Sequence, residues 1–351
     1  MPGKMRFNKV IKIGKKMISP DSRAFIIAEV GVNHCGDIRL AKKLIKIAAD
    51  AGADAVKFQS FNTESLILPN VRKAPYQKRS DKNCSQFEML KRLELPLERI
   101  RELKKYSEKL NIIFLSTPFD EKSLEELGSI GLPAYKISST DITNLPFLKK
   151  VAGKSKPIIL STGMAYMGEI KSALEEIYRT NKRVVLLQCT SNYPAPDDEV
   201  NLNVLATFRD SFDILVGYSD HSPGMGAAPY AAALGAKVIE KHFTIDKSLA
   251  GPDHKASLDP HELKEFIKEI RKAEGYLGSG LKEPTRSESE NRKALQKCLV
   301  ASRSVKKGER FNKNNVTAKR TGGIGISPVD YRRVYASTAR REYKPDEIIR
   351  L

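Results

Sequence analysis

The feature that most constrains the fold is a regular alternation of short apolar runs with longer segments of helical periodicity. Eight apolar runs have the length of a strand. Between them, apolar residues recur at the spacing of an amphipathic helix, as in "IRLAKKLIKIAADAGA". The strands predicted in this way are 25–30, 55–59, 112–116, 134–138, 157–162, 184–189, 214–219 and 237–242.

Near-continuous apolar strands predict a parallel sheet that is buried on both faces. Eight strand–helix units of this kind indicate an α/β protein built as a closed (β/α)₈ barrel. An open doubly wound sheet is the alternative, but no GxGxxG turn follows the first strand to support it. Asp259 and Pro260 predict the start of the helix after the last strand, and residues 1–23 are predicted to contain a short hairpin.

The periodic pattern stops near residue 281, which sets the end of the predicted barrel domain at 1–281. Residues 282–293 are polar, contain a proline, and are predicted to form a linker. Residues 294–351 combine short apolar pieces with glycine turns and are predicted to form a small β-rich module. A module of this size without disulfides is marginal alone, so it is expected to dock on the barrel or on a partner subunit.

Composition narrows the possible partners and the compartment. The net charge is +19, but the basic residues are spread over many predicted helices, so nucleic-acid binding is not expected and an anionic substrate remains open. No apolar stretch reaches the length of a membrane span, and no signal sequence is evident, which predicts a cytoplasmic protein with no membrane partner. Four scattered cysteines form no CxxC pair and are predicted to be reduced thiols: Cys35, Cys84, Cys189 and Cys298.

Two lysines stand inside otherwise apolar strands. In a (β/α)₈ barrel, the carboxyl ends of the strands and the following loops form the active site. Lys57 and Lys136 lie in such strands, where a buried ammonium group is costly unless an anion meets it. With several serine and threonine hydroxyls at neighbouring strand ends, they favour a site for a phosphate and a carboxylate.

Two histidines end the seventh and eighth predicted strands. Because these strands are neighbours in a barrel, His221 and His242 can converge on one divalent ion. Two protein ligands would leave coordination positions for water and substrate. The pair therefore predicts a catalytic metal rather than a structural one.

Several motifs resemble those of the sialic acid synthases, in the order that the family has them. They are "IIAEVGVNHCGD", "GADAVKFQSF", "FLSTPFD", "LSTGM", "CTSNYPAP", "GYSDHS", "IEKHFT" and "GPDHKASL". The match spans nearly the whole chain, and residues 294–351 resemble the antifreeze-like (SAF) domain of bacterial members. The resemblance implies condensation of phosphoenolpyruvate with an N-acetylated hexose and water. With N-acetylmannosamine the products would be N-acetylneuraminate and phosphate, formed by C–O cleavage.

The resemblance also implies roles for individual residues. Phosphoenolpyruvate would be held by Lys57, Gln59, Thr117, Lys136, Ser139, Ser161 and Ser219. The sugar would be held by Asp141, Tyr193, Asp253 and Arg320, the last coming from the small domain of the other subunit in a swapped homodimer. Manganese, or alternatively magnesium or cobalt, would be bound by His221 and His242. Glu29 would handle the proton of the water or of the aldehyde.

The sequence departs from the family pattern at Ser191, where some relatives have asparagine, and at two places that concern the sugar. The segment "KISSTD" replaces the KIPSGE of many bacterial members, so Asp141 is one methylene shorter than their glutamate. Thr321 replaces the usual proline after "KR". Both changes affect residues that the resemblance assigns to the sugar, Asp141 directly and Arg320 through its neighbour.

Different products and different protein classes also remain open. A legionaminate synthase acting on a 2,4-diacetamido-trideoxyhexose is the main competitor, and a pseudaminate synthase is less favoured by "GPDHKASL". A 3-deoxy-octulosonate-type synthase would share the two lysines but should lack the small C-terminal module. A non-enzymatic sugar-binding or ice-binding protein would not need paired histidines at strand ends.

Overall fold

The computed structural model describes residues 5–73 and 85–351. Of the thiols predicted to be reduced, Cys84 lies outside the described residues, whereas Cys35, Cys189 and Cys298 are free. The described chain forms two compact units, Met1–Gly278 and Ser279–Leu351.

The first unit begins with an antiparallel hairpin, which the sequence predicted, made of β1 (Ile11–Ile13) and β2 (Lys16–Ile18). Eight parallel strands then form a nearly closed barrel with the order β5-β4-β3-β10-β9-β8-β7-β6. The predicted (β/α)₈ fold is confirmed. Its strands are β3 (Phe25–Gly31), β4 (Ala55–Ser60), β5 (Ile113–Pro118), β6 (Tyr135–Ile137), β7 (Ile158–Ser161), β8 (Val184–Cys189), β9 (Leu215–Asp220) and β10 (Val238–His242).

Helices follow the strands, and most of them cover the outside of the barrel. They are α1 (Ile38–Asp50), α2 (Thr63–Leu66), α3 (Gln86–Leu93), α4 (Leu97–Lys109), α5 (Glu121–Ser129), α6 (Leu145–Gly153), α7 (Met167–Tyr178), α8 (Val204–Phe212), α9 (Ala228–Ala233) and α10 (Pro260–Leu277). Short 3₁₀ turns span Ser139–Asp141, Asp197–Glu199 and His254–Ala256. Helix α10 begins as predicted, because Asp259 caps it and Pro260 occupies its first turn.

The period of two along each strand separates two apolar layers. Outward-facing residues such as Ile26 and Ile239 pack against the helices, whereas Ile27 and Val238 belong to a separate cluster that fills the barrel interior. Ile11 of the hairpin belongs to this interior cluster as well. The interior is therefore packed with apolar side chains below the site. Within the described residues, no helix is both long and apolar enough to cross a bilayer.

The second unit contains an antiparallel pair, β11 (Lys297–Ala301) and β12 (Val316–Arg320). It also contains α11 (Arg286–Leu295), a 3₁₀ turn at Pro328–Asp330 and α12 (Tyr331–Tyr335). Its own apolar cluster includes Phe311 and Tyr343. Helix α11 differs from the linker expected at 282–293, because Thr285 and Glu288 form a capping box that starts a helix there.

Candidate active site

A cavity of about 670 Å³ opens at the carboxyl ends of the barrel strands. In (β/α)₈ barrel enzymes, the active site lies at this end of the barrel. Most of the residues predicted for the site share its surface. They are Glu29, Lys57, Gln59, Thr117, Lys136, Ser139, Ser161, Tyr193, Ser219, His221, His242 and Asp253.

Strand β10 shows why polar residues end an apolar run. Alternate side chains face opposite sides of a strand, so Val238, Glu240 and His242 share the inner face. Lys241 lies on the outer side, where its Nζ is 3.3 Å from Asp220 Oδ2. In register, His242 lies beside Glu29 on β3, and Glu240 lies beside Ser219 on β9. The inner face of the strand therefore has an apolar residue of the barrel interior at its start and polar residues of the site at its end.

Lys57 is the centre of a buried ionic cluster. Its Nζ lies 2.9 Å from Glu29 Oε2 and 3.7 Å from Glu240 Oε1. It also donates a hydrogen bond of 3.0 Å to Thr117 Oγ1. The Lys57 side chain is only 3% exposed, and β3 pairs Glu29 directly with Lys57 on β4. The desolvated ammonium group is thus compensated by two carboxylates within the protein.

Glu240 is the functional candidate that the sequence analysis missed. Its Oε1 lies 3.4 Å from Lys136 Nζ and accepts a hydrogen bond of 3.2 Å from Ser219 Oγ. Its Oε2 is buried and has no hydrogen-bond partner among the described residues. Because it contacts both site lysines, Glu240 holds their ammonium groups close together. Because side chains alternate along a strand, Glu240 shares the inner face with His242, and this alternation in "VIEKH" could have indicated that Glu240 belongs to the site.

The two carboxylates differ in protonation. Burial raises the pKa of Glu29, and this effect outweighs the opposing charge of Lys57. Burial also acts to raise the pKa of Glu240, but the charges of Lys136 and Lys57 outweigh it and the pKa is lowered. Glu240 is therefore a permanent anion at neutral pH, while Glu29 can hold a proton. Such a divergence between neighbouring acids is typical of acid–base sites.

The structure places the rings of His221 and His242 close together. Their ring centroids lie 5.9 Å apart. His221 Nδ1 is 2.7 Å from Thr190 O and donates to that carbonyl in the neutral tautomer. His242 Nδ1 is buried without a hydrogen-bond partner in the described part of the chain. Burial lowers the pKa of His221 to about 4 and that of His242 well below its ordinary value, so both imidazoles are neutral.

Neutral imidazole is the form in which histidine binds a divalent metal. The second ring nitrogen of His221, Nε2, lies 3.3 Å from Ser219 Oγ. Asp253 lies nearby, with Oδ2 4.0 Å from His242 Nδ1. Among residues 5–73 and 85–351, no group of three histidine, cysteine or acidic side chains is already arranged to hold an ion. The two imidazoles are the side chains that would hold a divalent ion here, with coordination positions left for water and substrate.

Tyr193 and Asp253 line the part of the cavity beside the histidines. The Tyr193 ring lies 4.2 Å from the His221 ring and 5.6 Å from the His242 ring, measured between centroids. Burial raises the pKa of Asp253 to about 6. An aromatic face and a buried carboxyl group beside the histidines are suited to holding a sugar with a polar and a less polar side.

Small hydroxyl groups line the cavity beside Lys136. Ser139 Oγ accepts a hydrogen bond of 2.9 Å from the Gly163 backbone N–H and lies 3.2 Å from Cys189 Sγ. Ser161 Oγ is buried and has no hydrogen-bond partner among the described residues. This hydroxyl is therefore available to hydrogen-bond a ligand or a water molecule.

One of the predicted sugar ligands of the barrel does not line this cavity. Asp141 is absent from its surface, and its carboxylate accepts hydrogen bonds from Asn144 Nδ2 at 3.5 Å and Thr140 Oγ1 at 3.4 Å. The shorter side chain noted from the sequence is consistent with this position. Arg320 is exposed at the end of β12 in the second unit.

The family model described as "NeuB family" matches residues 44–282. The chain belongs to the NeuB family. Its residues 44–282 include most of the strand-end groups that line the cavity, although Glu29 on β3 precedes them.

Relatives agree with the NeuB assignment over nearly the full length. The chain is 49% identical over 332 residues to the N,N'-diacetyllegionaminic acid synthase of Campylobacter jejuni, covering 93% of this chain and 99% of that protein. It is 45% identical over 319 residues to the enzyme of the same name from Legionella pneumophila, covering 89% of each.

A solved structure agrees as well. It is the N-acetylneuraminic acid synthetase of Leptospira borgpetersenii, with a TM-score of 0.73 and 36% identity over 82% of this chain and 96% of that one. The protein is therefore a NeuB-family enzyme of the sialic acid synthase type.

Proposed function

We propose that this enzyme condenses phosphoenolpyruvate with a 2,4-diacetamido-trideoxyhexose and water, giving a legionaminate and phosphate. The observation that carries the choice of sugar is the similarity to the two legionaminic acid synthases, at 49% and 45% identity. The Leptospira sialic acid synthetase is 36% identical. This reverses the order of the sequence analysis, which placed N-acetylmannosamine first.

Phosphoenolpyruvate suits the cationic side of the cavity. Lys57 and Lys136 supply two buried positive charges, and the unpartnered Ser161 hydroxyl supplies a donor. Gln59, Thr117, Ser139 and Ser219 would complete the contacts that the family resemblance implies. An anion bound here would make charge-assisted hydrogen bonds in a site that excludes water, where they are strongest.

His221 and His242 would hold the divalent metal, with manganese preferred and magnesium or cobalt as alternatives. A metal bound there would polarise the carbonyl of the open-chain sugar as a Lewis acid. The protein contributes two neutral imidazoles, and their low pKa values keep protons from competing for the ring nitrogens over the neutral pH range.

Glu29 would manage the proton during the condensation. C3 of phosphoenolpyruvate forms a bond with the sugar aldehyde carbon, and the aldehyde oxygen gains a proton. Water adds at C2, and the C–O bond to phosphate breaks, so the products are the nonulosonate and inorganic phosphate. Because burial raises its pKa, Glu29 can donate the proton to the aldehyde oxygen and then accept one from the water.

Glu240 and Gln59 would have positioning roles. The Gln59 Nε2 group lies 3.3 Å from Glu29 Oε1, which orients that carboxylate towards the cavity. Glu240 remains anionic and holds the two lysines together before the substrate arrives. Tyr193 and Asp253 would contact the sugar beside the histidines. Asp141 lies outside the cavity surface, so a water molecule would be needed to link it to the sugar.

The proposal is tested by measuring phosphate release with phosphoenolpyruvate and a panel of sugars. We expect the highest kcat/KM with 2,4-diacetamido-2,4,6-trideoxymannose and a lower value with N-acetylmannosamine. N-acetylmannosamine-6-phosphate and the altro-configured diacetamido sugar serve as controls for the other branches. A higher kcat/KM with N-acetylmannosamine would support sialate synthesis, the second candidate, which the 36% identity to the Leptospira synthetase favours.

We further propose a homodimer in which Arg320 of one subunit completes the site of the other, as the family resemblance implies. Mixing a His242→Ala chain with an Arg320→Ala chain, after dissociation and reassociation, is expected to regenerate activity. In such a heterodimer, one site would contain both an intact histidine and an intact arginine. Two chains that each carry Arg320→Ala provide the matched control. Proven heterodimers without activity would contradict the swapped arrangement.

A further inference from the structure

The cavity has two unlike sides. The strand ends provide charged and hydroxyl groups, whereas the described residues that follow β4 provide mostly apolar side chains. Seven side chains of these residues line the cavity, including Phe61 and the polar Gln86. We refer to the five leucine, isoleucine and methionine side chains among them as the apolar wall: Leu66, Ile67, Met89, Leu90 and Leu93. Nothing in the proposed condensation uses these side chains, since phosphoenolpyruvate and the reacting aldehyde need polar partners.

Specific hydrogen bonds hold the apolar wall in place. Glu94, which follows α3, accepts hydrogen bonds through Oε2 from the backbone N–H and the Oγ1 hydroxyl of Thr63 in α2, at 3.1 and 2.8 Å. The preceding Asn62 N–H donates to Asp120 Oδ2 at 2.7 Å. These contacts join α2 to α3 and fix the start of α2 to the loop after β5. The wall is therefore pre-organised, which lowers the entropy cost of ligand binding.

The position of the wall relates it to the far end of the sugar. Glu29 and the two histidines lie at the strand ends, so the sugar carbonyl carbon must lie near them. The apolar wall belongs to a loop that begins beyond the carboxyl end of β4 at Ser60. With the carbonyl carbon at the strand ends, the inference places carbons C4 to C6 of the open-chain sugar farther out, against the wall.

We infer that the apolar wall is a subsite for the methyl groups at the far end of the sugar, namely the C6 methyl and the methyl of a 4-acetamido group. This inference rests on the proposed function for the identity of the full substrate. A C6 hydroxyl group facing the wall would lose its hydrogen bonds to water and gain none. A methyl group there loses no hydrogen bond and buries apolar surface. The wall therefore selects 6-deoxy sugars.

The inference is tested with two sugars that differ by one oxygen atom, N-acetylmannosamine and its 6-deoxy analogue. We expect the wild-type enzyme to prefer the 6-deoxy sugar by about 10-fold or more in kcat/KM, the range typical of one methyl-sized difference in an apolar pocket. Replacing Leu90 with asparagine should reduce this preference to about 2-fold or less. The KM for phosphoenolpyruvate should be unchanged.

Leu68→Asn is the matched control, because Leu68 belongs to the same segment but is 75% exposed and does not line the cavity. It should keep the wild-type preference. Leu93→Asn provides a second wall variant if Leu90→Asn lowers the melting temperature. The inference is overturned if the wild-type enzyme does not prefer the 6-deoxy sugar, or if both wall variants keep the preference.

The design separates this inference from the proposed function. Failure of the diacetamido-trideoxy sugar to react, together with a clear 6-deoxy preference, would reject legionaminate synthesis and support the wall. Turnover of the diacetamido sugar without a 6-deoxy preference would support legionaminate synthesis and reject the wall. If neither N-acetylmannosamine nor its analogue reacts, calorimetric binding in the presence of phosphoenolpyruvate replaces kinetics, and equal affinities would reject the wall.

Discussion

Removal of divalent metal is expected to abolish phosphate release, and added manganese is expected to restore it. The reason is the pair His221 and His242, two neutral imidazoles that converge at one point of the cavity. Without a Lewis acid, the sugar carbonyl would not be activated for attack by a weak carbon nucleophile. We expect a loss of at least about 1,000-fold, corresponding to ~4 kcal/mol of transition-state stabilisation. The measurement is phosphate release after exhaustive chelation and after metal addition.

The fold should survive this treatment, because the barrel interior is packed with apolar side chains rather than held by an ion. Circular dichroism and the melting temperature should therefore change little. His242→Ala should behave like the chelated enzyme even when manganese is present. His261→Ala is the matched control, since His261 is an exposed histidine on α10. Full activity in the metal-free enzyme would reject the metal proposal.

The barrel could be predicted from the sequence because its strands are buried on both faces. A strand in that environment leaves an uninterrupted apolar run, and the boundaries predicted for β3 and β10 agree with the structure within one residue. The run becomes polar where the strand emerges into the cavity. The fold and the location of the site thus depend on the same pattern. This explains why Lys57 and His242 could both be recognised from the sequence.

Glu240 was missed for a different reason. The histidine at the very end of β10 marks the site in the sequence, whereas Glu240 lies one inward-facing position below His242. The alternation places this carboxylate on the inner face, but its role follows only from the residues that it contacts. In the structure these partners are Lys57 and Lys136, which come from strands far away in the sequence.

The apolar wall and helix α11 show two further limits of prediction. Leu66 and Leu93 reach the same cavity through a loop with two short helices, and no periodic pattern indicates that a loop folds over a site. Helix α11 is polar on all sides, so it has no apolar stripe to indicate a helix. Only its capping box, Thr285 and Glu288, was a local signal.

Replacing Lys57 with methionine is expected to impair both catalysis and folding. Loss of its charge-assisted contact should lower kcat/KM for phosphoenolpyruvate by about 30- to 160-fold, or ~2 to 3 kcal/mol. The free energy of unfolding at pH 7 should fall by about 3 kcal/mol, because Glu29 and Glu240 would remain buried without their shared cation. Denaturant unfolding and steady-state kinetics measure the two effects. Lys171→Met, at a 64% exposed lysine on α7, should change the unfolding free energy by less than about 0.5 kcal/mol.

The pH dependence of the Lys57→Met variant identifies the cause of the lost stability. Burial already raises the pKa of Glu29 in the folded protein, and removing the nearby ammonium group would raise it further. Above the pKa of an unfolded glutamate, the folded variant would then bind more protons than the unfolded chain, so its stability must fall as pH rises. The part of the loss that Glu29 causes should therefore be small near pH 5 and larger near pH 8, whereas the part that Glu240 causes should be the same at both pH values, because its pKa is lowered. Adding Glu29→Gln should recover stability without recovering activity, because it removes the buried charge and also the proton donor. A stability loss that does not grow with pH and is not relieved by Glu29→Gln would show that the buried charge of Glu29 is not its cause.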